Sequence, residues 1–305
     1  MNKVLFIVGP TAVGKTEYAI REAEKRNGEI VSADSVQLYR RMDIGSAKPT
    51  AEERRRAVHH LIDAVDPETP VSVAEYQSMA KAAIRDILSR GKLPIVSGGT
   101  GLYVNSLLYR MDFGGAEGDR TIRERLEREA EEKGGAVLYE QLRALDPDAA
   151  SRIEAGNVRK VIRALELYET TGNALADFGN AFVPTDDYET ELIGLSRDRA
   201  ELIDRIDRRV DLMFDAGLVQ EVMDLLASGL SPESQPMQAI GYKEIVDALY
   251  GRAKDIHDEP LPAGSPEALD AARSLIKIHT RQYAKRQMTW FRRLPGIRWI
   301  DLSET

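Results

Sequence analysis

The residues best equipped for chemistry stand within the first sixteen positions. Gly9-Pro10-Thr11-Ala12-Val13-Gly14-Lys15-Thr16 has the spacing G-x-x-x-x-G-K-[ST]. Glycine at both ends lets consecutive N–H groups turn into one concavity, which suits an anion. A helix starting there adds its unpaired amides and the positive end of its dipole. Lys15 then supplies a cation for terminal phosphate oxygens, and the Thr16 hydroxyl is placed to hold Mg²⁺. The chemistry implied is a grip on a di- or triphosphate.

That grip needs a rigid mount, and the flanking residues predict one. Val4 to Val8 is a short continuous apolar run, as in a strand buried on both faces. After Thr16 the pattern turns helical, with Ala19, Ile20 and Ala23 inward, until Asn27-Gly28 stops it. Glu29 to Ala33 reads as a second strand that ends at Asp34-Ser-Val-Gln37, and Leu93 to Ser97 as a third that ends at Gly98-Gly99-Thr100-Gly101. Ser72-Val-Ala-Glu75 is a capping box that opens the helix between them. Strand and helix alternating in this way predict a parallel sheet with right-handed crossovers, whose ligands collect beyond the carboxyl ends of the strands. Asp34, Gln37 and Thr100 are thereby delivered to the edge that carries the phosphate cradle. The third strand ends in glycines with no acid, so the only carboxylate at hand is Asp34. On chemistry alone it is equally suited to act as a base toward an acceptor or as an outer partner of Mg²⁺.

From about Gly114 the character changes. Ile122/Leu126/Ala130, Val137/Leu138/Leu142/Leu145 and Val158/Val161/Ile162/Leu165 recur at helical spacing among many charges, with no strand pattern between. The expected fold is therefore α/β: a P-loop-like parallel sheet flanked by helices, in residues 1–113 and 188–305, with an all-helical insertion at 114–187. The sheet resumes at Glu191 to Leu195, a long helix follows a second capping box at Asp198 and Glu201, and Ile297 to Ile300 alternates like an edge strand. Residues 40–70 read as loop with a short helix, and 251–265 as a linker.

The chain has 305 residues, 43% of them hydrophobic and 30% charged, which supports a large core with solvent-facing helices rather than disorder. It has no cysteine, and its four histidines have no metal-ligand spacing, so disulfides and a zinc site are not expected. No secretory or membrane segment is visible, so a cytoplasmic protein is expected; a monomer is expected as well. The net charge of −8 argues against a general nucleic-acid binder, yet residues 271–300 carry eight basic residues and no acid. Arg273, Lys277, Arg281 and Lys285 follow one another at i,i+4. Such segregation predicts a polyanion against that face, the plainer alternative being a solvated helix surface. Trp290 and Phe291 read as core packing, and His59 and His60 as structural.

At this point a family resemblance becomes visible. The cradle, Ala33-Asp-Ser-Val-Gln-Leu-Tyr39, Gly45-Ser-Ala-Lys-Pro49, His59-His-Leu-Ile-Asp63 and Gly98-Gly-Thr-Gly-Leu-Tyr103 resemble the successive signatures of bacterial tRNA dimethylallyltransferases. Arg163-Ala-Leu-Glu166, Ala239-Ile-Gly-Tyr-Lys-Glu244 and the run from Thr280 to Arg292 are similar to the rest. The resemblance implies transfer of a dimethylallyl group from its diphosphate to the exocyclic amine of the adenosine 3′ of a tRNA anticodon, with Mg²⁺. It makes Asp34 the partner of that amine, places Thr100 beside the target nucleotide, and gives Thr11 to Thr16 the prenyl diphosphate. Arg209 is the expected further diphosphate contact, with Arg205 and Arg208 as neighbours that could replace it. Ser35, Val36, Gln37, Arg123, Arg159, Lys160, Arg163, Lys243, Arg281 and Lys285 are implied in tRNA binding. The readings left beside it are an ATP-dependent kinase of a small molecule or nucleotide, an RNA-binding protein gated by nucleotide without chemistry, and an enzyme prenylating free adenine nucleotides.

Overall fold

A computed structural model describes residues 2–111, 120–171 and 183–303. It divides into two compact units, Met1–Leu108 with Thr185–Thr305, and Tyr109–Pro184. The expected change at residue 114 lies outside the described residues.

The first unit opens with β1 (Lys3–Val8), α1 (Lys15–Arg26), β2 (Gly28–Ser32), α2 (Ala51–Arg56) and β3 (His59–His60). It continues through α3 (Val73–Ser89), β4 (Leu93–Gly98) and α4 (Gly101–Leu108). All pairings are parallel, in the order β3-β2-β4-β1-β5-β6 once β5 (Glu189–Ser196) and β6 (Arg298–Asp301) are added. Leu5 and Ile7 of β1, with Ile30, Ile95, Ile193 and Leu195, pack against Ala19, Ile20 and Ala23 of α1. On the far side of the sheet the Tyr76 and Tyr103 rings stack with centroids 3.7 Å apart, and the Tyr76 hydroxyl donates to the carbonyl of Ser32.

Register brings the strand ends level: Val8 lies opposite Gly98, and Ser32 opposite Ser97. Gly98 is required for this. A Cβ there would stand 2.1 Å from the Ala33 carbonyl oxygen, the same atom that accepts from Thr100 N–H at 3.1 Å. The glycine pair after β4 thus lets two chain segments press together where Asp34 and Thr100 emerge.

Helices α9 (Arg199–Asp215), α10 (Leu218–Ala227), α11 (Tyr242–Leu249) and α12 (Pro266–Phe291) complete this unit. Three expectations are corrected here. The long helix after β5 breaks at Gly217, whose φ of 98° ends α9 and starts α10. Asp198 caps α9 by accepting from Ala200 and Glu201 N–H, but Glu201 does not return the bond; its carboxylate pairs with Arg197. His59–His60 forms a strand where loop is expected, held partly by His60 Nε2 against the buried Glu29 carboxylate at 2.7 Å, which Arg90 and Lys92 also reach. The Ser72–Glu75 capping box forms in both directions. No helix among the described residues is long and apolar enough to cross a membrane.

In the second unit α5 (Arg120–Lys133), α6 (Gly135–Leu145), α7 (Pro147–Arg152) and α8 (Val158–Thr171) surround a core of Leu126, Leu138, Leu142, Val161 and Leu165. The described part of this unit contains no strand, only the isolated bridge of Tyr109 with Pro184.

Candidate functional site

The glycine loop between β1 and α1 reaches the helix through Gly14, at φ 111° and ψ 21°, a conformation that lets the amides after it face inward. Ala12 is also left-handed, at φ 63°. Lys15 folds back over the loop and donates to the carbonyls of Gly9 at 3.0 Å and Pro10 at 2.7 Å. Burial pushes its ammonium down to about 7; Asp34 opposes that shift and Arg209 adds to it. The Arg209 guanidinium, equally enclosed, is lowered by burial and held up mainly by Asp34. Two desolvated cations therefore share one carboxylate, an excess of positive charge that a diphosphate would balance.

Thr11, Ala12, Gly14, Lys15, Thr16, Asp34, Gln37 and Arg209 line one cavity of about 370 Å³, so most of the expected cradle and the acceptor carboxylate share it. Of the remaining cradle residues, Val13 points into the core, while Gly9 and Pro10 serve through their carbonyls. Asp34 Oδ1 accepts from Val36 N–H at 2.9 Å and Gln37 N–H at 3.3 Å, which fixes the carboxylate at the start of the turn. Thr100 Oγ1 accepts from Ser35 N–H at 3.1 Å, tying the turn after β2 to the one after β4. Gln37, implied in tRNA contact, spends its amide internally on Ser32 Oγ and on the carbonyls of Ser46 and Ala47. His59, read as structural, forms part of the cavity wall.

Of Arg205, Arg208 and Arg209 on α9, two line the cavity and one does not. Arg208 is exposed and pairs with Asp204 outside the cavity. Arg205 donates Nε to the Ala12 carbonyl at 2.9 Å and lines the cavity beside Arg209, so both flank the cradle.

The basic face of α12 is partly paired within the protein. Arg281 Nε meets Asp207 at 2.9 Å, Lys277 meets Asp211 at 2.7 Å, and the Arg273 guanidinium lies over the Phe214 ring at 4.5 Å. Two of the eight basic residues in this acid-free run are thus neutralised across the α9–α12 contact. Lys285 and Lys243 remain exposed. In the second unit, Arg123 and Arg163 both pair with the fully buried Glu166 carboxylate, whereas Arg159 and Lys160 lie exposed at the start of α8. Phe291 is core, but Trp290 is 40% exposed with its ring over Gly101.

Sequence reasoning missed, on α12, the cavity residues Tyr283 and Gln287. The Tyr283 phenol is pushed up to about 12 by burial and then by Asp34, against the pull of hydrogen bonds from Thr100 and Gln287. Gln287 Oε1 accepts from Thr11 N–H at 2.8 Å and Nε2 donates to the Gly99 carbonyl at 2.9 Å. Their signal was an i,i+4 pair of polar residues on one face of a helix otherwise read for charge.

A parallel sheet whose first strand runs through a glycine nest into a helix, with cations and a carboxylate meeting at the strand ends, defines a P-loop α/β protein. The comparisons carry this further, and the chain belongs to the IPP transferase family, whose model matches residues 37–294. A tRNA dimethylallyltransferase of Alkaliphilus oremlandii is 48% identical over 302 residues, covering 99% of this chain and 92% of that protein. One from Bacillus cytotoxicus is 46% identical over 303 residues, covering 99% and 91%. Among solved structures, the full-length tRNA isopentenylpyrophosphate transferase of Bacillus halodurans matches with a TM-score of 0.71 at 41% identity, over 100% of this chain and 91% of that one. A eukaryotic dimethylallyltransferase acting on tRNA matches with a TM-score of 0.80 at 29% identity, over 99% and 74%.

Proposed function

We propose that this chain transfers a dimethylallyl group from dimethylallyl diphosphate to the exocyclic amine of the adenosine 3′ of a tRNA anticodon. The observation that carries the reading is that Asp34, Lys15 and Arg209 line a single cavity. In the transfer, the bond between the allylic carbon and the diphosphate oxygen breaks while the bond from that carbon to the adenine nitrogen forms. Negative charge gathers on the departing oxygens, where Lys15, Arg209 and the free loop amides would stabilise it. The amine loses a proton as it becomes bonded to carbon, and Asp34 accepts it. Its Oδ1 is committed to backbone amides, and Oδ2 takes no hydrogen bond from any described residue. The target base leaves its stack to reach this depth.

The cavity also fits Mg²⁺. No cluster of three metal-ligating side chains exists among the described residues, and Thr16 offers one hard oxygen on the cavity wall. Mg²⁺ characteristically accepts so few protein ligands when phosphate oxygens and water supply the rest. Thr16 would hold it, and the ion when bound would add Lewis-acid stabilisation of the leaving diphosphate.

Incubating the protein with prenyl-labelled dimethylallyl diphosphate, Mg²⁺ and bulk tRNA is expected to place label in the RNA. Transfer from γ-labelled ATP instead would establish the kinase reading, and RNA binding without transfer the non-catalytic one.

For the tRNA grip, the exposed Lys285, Arg159 and Lys160 are the contacts we favour over the paired Arg281, Arg123 and Arg163. Lys285→Ala is expected to reduce the slope of log affinity against log salt by roughly 0.7–0.9, one phosphate's worth. Arg281→Ala should change it less, because Asp207 already neutralises that charge. An unchanged slope in Lys285→Ala removes this residue from the interface.

A further inference from the structure

The cradle follows β1 and the Gly98–Gly101 turn follows β4. These strands are neighbours in register up to Val8 and Gly98, but past that point the ladder ends. Among the described residues, the one side-chain amide that crosses between the two loops beyond it belongs to Gln287, 6% exposed, from the last third of α12. Its oxygen takes the cradle's Thr11 N–H and its nitrogen gives to the Gly99 carbonyl. A single side chain must carry donor and acceptor together at this reach. Glutamate lacks the donor and asparagine is one carbon shorter.

Gly99 belongs to the same device. Its φ is not in the left-handed region, so glycine is not demanded by the backbone. A Cβ there would stand 2.2 Å from Gln287 Nε2, so the second glycine of the pair is needed to let the amide approach. Gln287 also removes Thr11 N–H from the set of amides open to an anion, which leaves the diphosphate to the amides closer to α1.

We propose that Gln287 is a positioning residue: by joining Thr11 to Gly99 it sets the spacing between the diphosphate nest and the acceptor-side turn. The proposal deepens the transferase reading and rests on it for the identity of the two half-sites. A shift of order 1 Å between reacting groups can cost about 100-fold in rate, so the spacing is a catalytic quantity.

The test uses the full chain and the variants Gln287→Met, Gly99→Ala and the two combined. Binding of inorganic diphosphate is followed by calorimetry, and turnover by label transfer to tRNA. Gln287→Met, shown to be folded by circular dichroism, is expected to weaken diphosphate binding roughly 10-fold, in line with loss of a hydrogen bond that shapes a charged site. Turnover should fall about 100-fold with tRNA affinity held within about 2-fold. Gly99→Ala, which evicts the amide without touching it, should reproduce this profile. The double variant should be no worse than the worse single one, since both break one link. An unchanged diphosphate affinity in folded Gln287→Met overturns the proposal whatever the acceptor is, and so do additive losses in the double variant. Failure of the unmutated chain to label tRNA would instead overturn the reaction assigned above.

Discussion

Asp34→Asn is expected to lower turnover by about 10²–10⁴, the range typical of losing a positioned general base, while leaving tRNA affinity intact. The substitution isolates the proton from the architecture. Asparagine keeps an oxygen where Oδ1 accepts from Val36 and Gln37, so the turn after β2 and the Ser35–Thr100 link hold their shape. What is lost is the capacity to take a proton from the amine and one negative charge between Lys15 and Arg209. That second loss separates the readings. Since Asp34 is the carboxylate that both cations feel, its neutralisation leaves the cavity more positive. Diphosphate should therefore bind no more weakly in Asp34→Asn than in the parent. Chemistry falls while anion affinity holds, a combination that an unfolded or distorted site cannot produce. Parallel losses of turnover, tRNA affinity and diphosphate affinity would show that Asp34 only shapes its loop.

Why Asp34 could be singled out from the sequence, and Gln287 could not, is a matter of range. The cradle, its strand and its helix are contiguous, and the ends of β2 and β4 are each marked by a polar residue after an apolar run. Parallel topology alone then brings Asp34 and Thr100 to the edge where Lys15 sits. Gln287 comes from more than 270 positions further on. It lies on a helix face that closes a polar site, so hydrophobic periodicity, which finds core faces, passes over it. The same blindness explains the α12 charge run. Arg281 and Lys277 look unpaired along the chain because Asp207 and Asp211 lie on another helix, spaced i,i+4 to match them. Charge counted along a sequence is not charge in space. β3 escaped for a simpler reason: two residues are too few for any alternation, and its existence depends on the pairing of His59 and His60 with Ile30 and Val31.

Lys15 carries the other large effect. Its ammonium, brought down to about 7 by burial with help from Arg209, is mostly neutral in the ligand-free protein at about pH 8. A diphosphate placed against it favours the charged form and raises that value, so binding must draw a proton from solution. The sign follows directly: affinity for diphosphate is highest below neutrality on the lysine's account and declines as pH rises through 7, because each binding event must then protonate the amine. With dimethylallyl diphosphate as the titrant, whose ester diphosphate is almost fully ionised at about pH 8 as inorganic diphosphate is not, the ligand neither supplies nor obscures that proton. Calorimetry at this pH in buffers of different ionisation enthalpy should reveal uptake approaching one proton per diphosphate bound. Lys15→Met should abolish the uptake and lower turnover by about 10²–10³, the loss typical of removing one preorganised donor to a developing oxyanion. Arg209→Met should lower turnover too but leave Lys15 easier to protonate, so its uptake at about pH 8 should shrink without vanishing. Binding heats independent of the buffer in the parent protein would mean that Lys15 already carries its proton, and that the excess of positive charge in the empty cavity is larger than its burial implies.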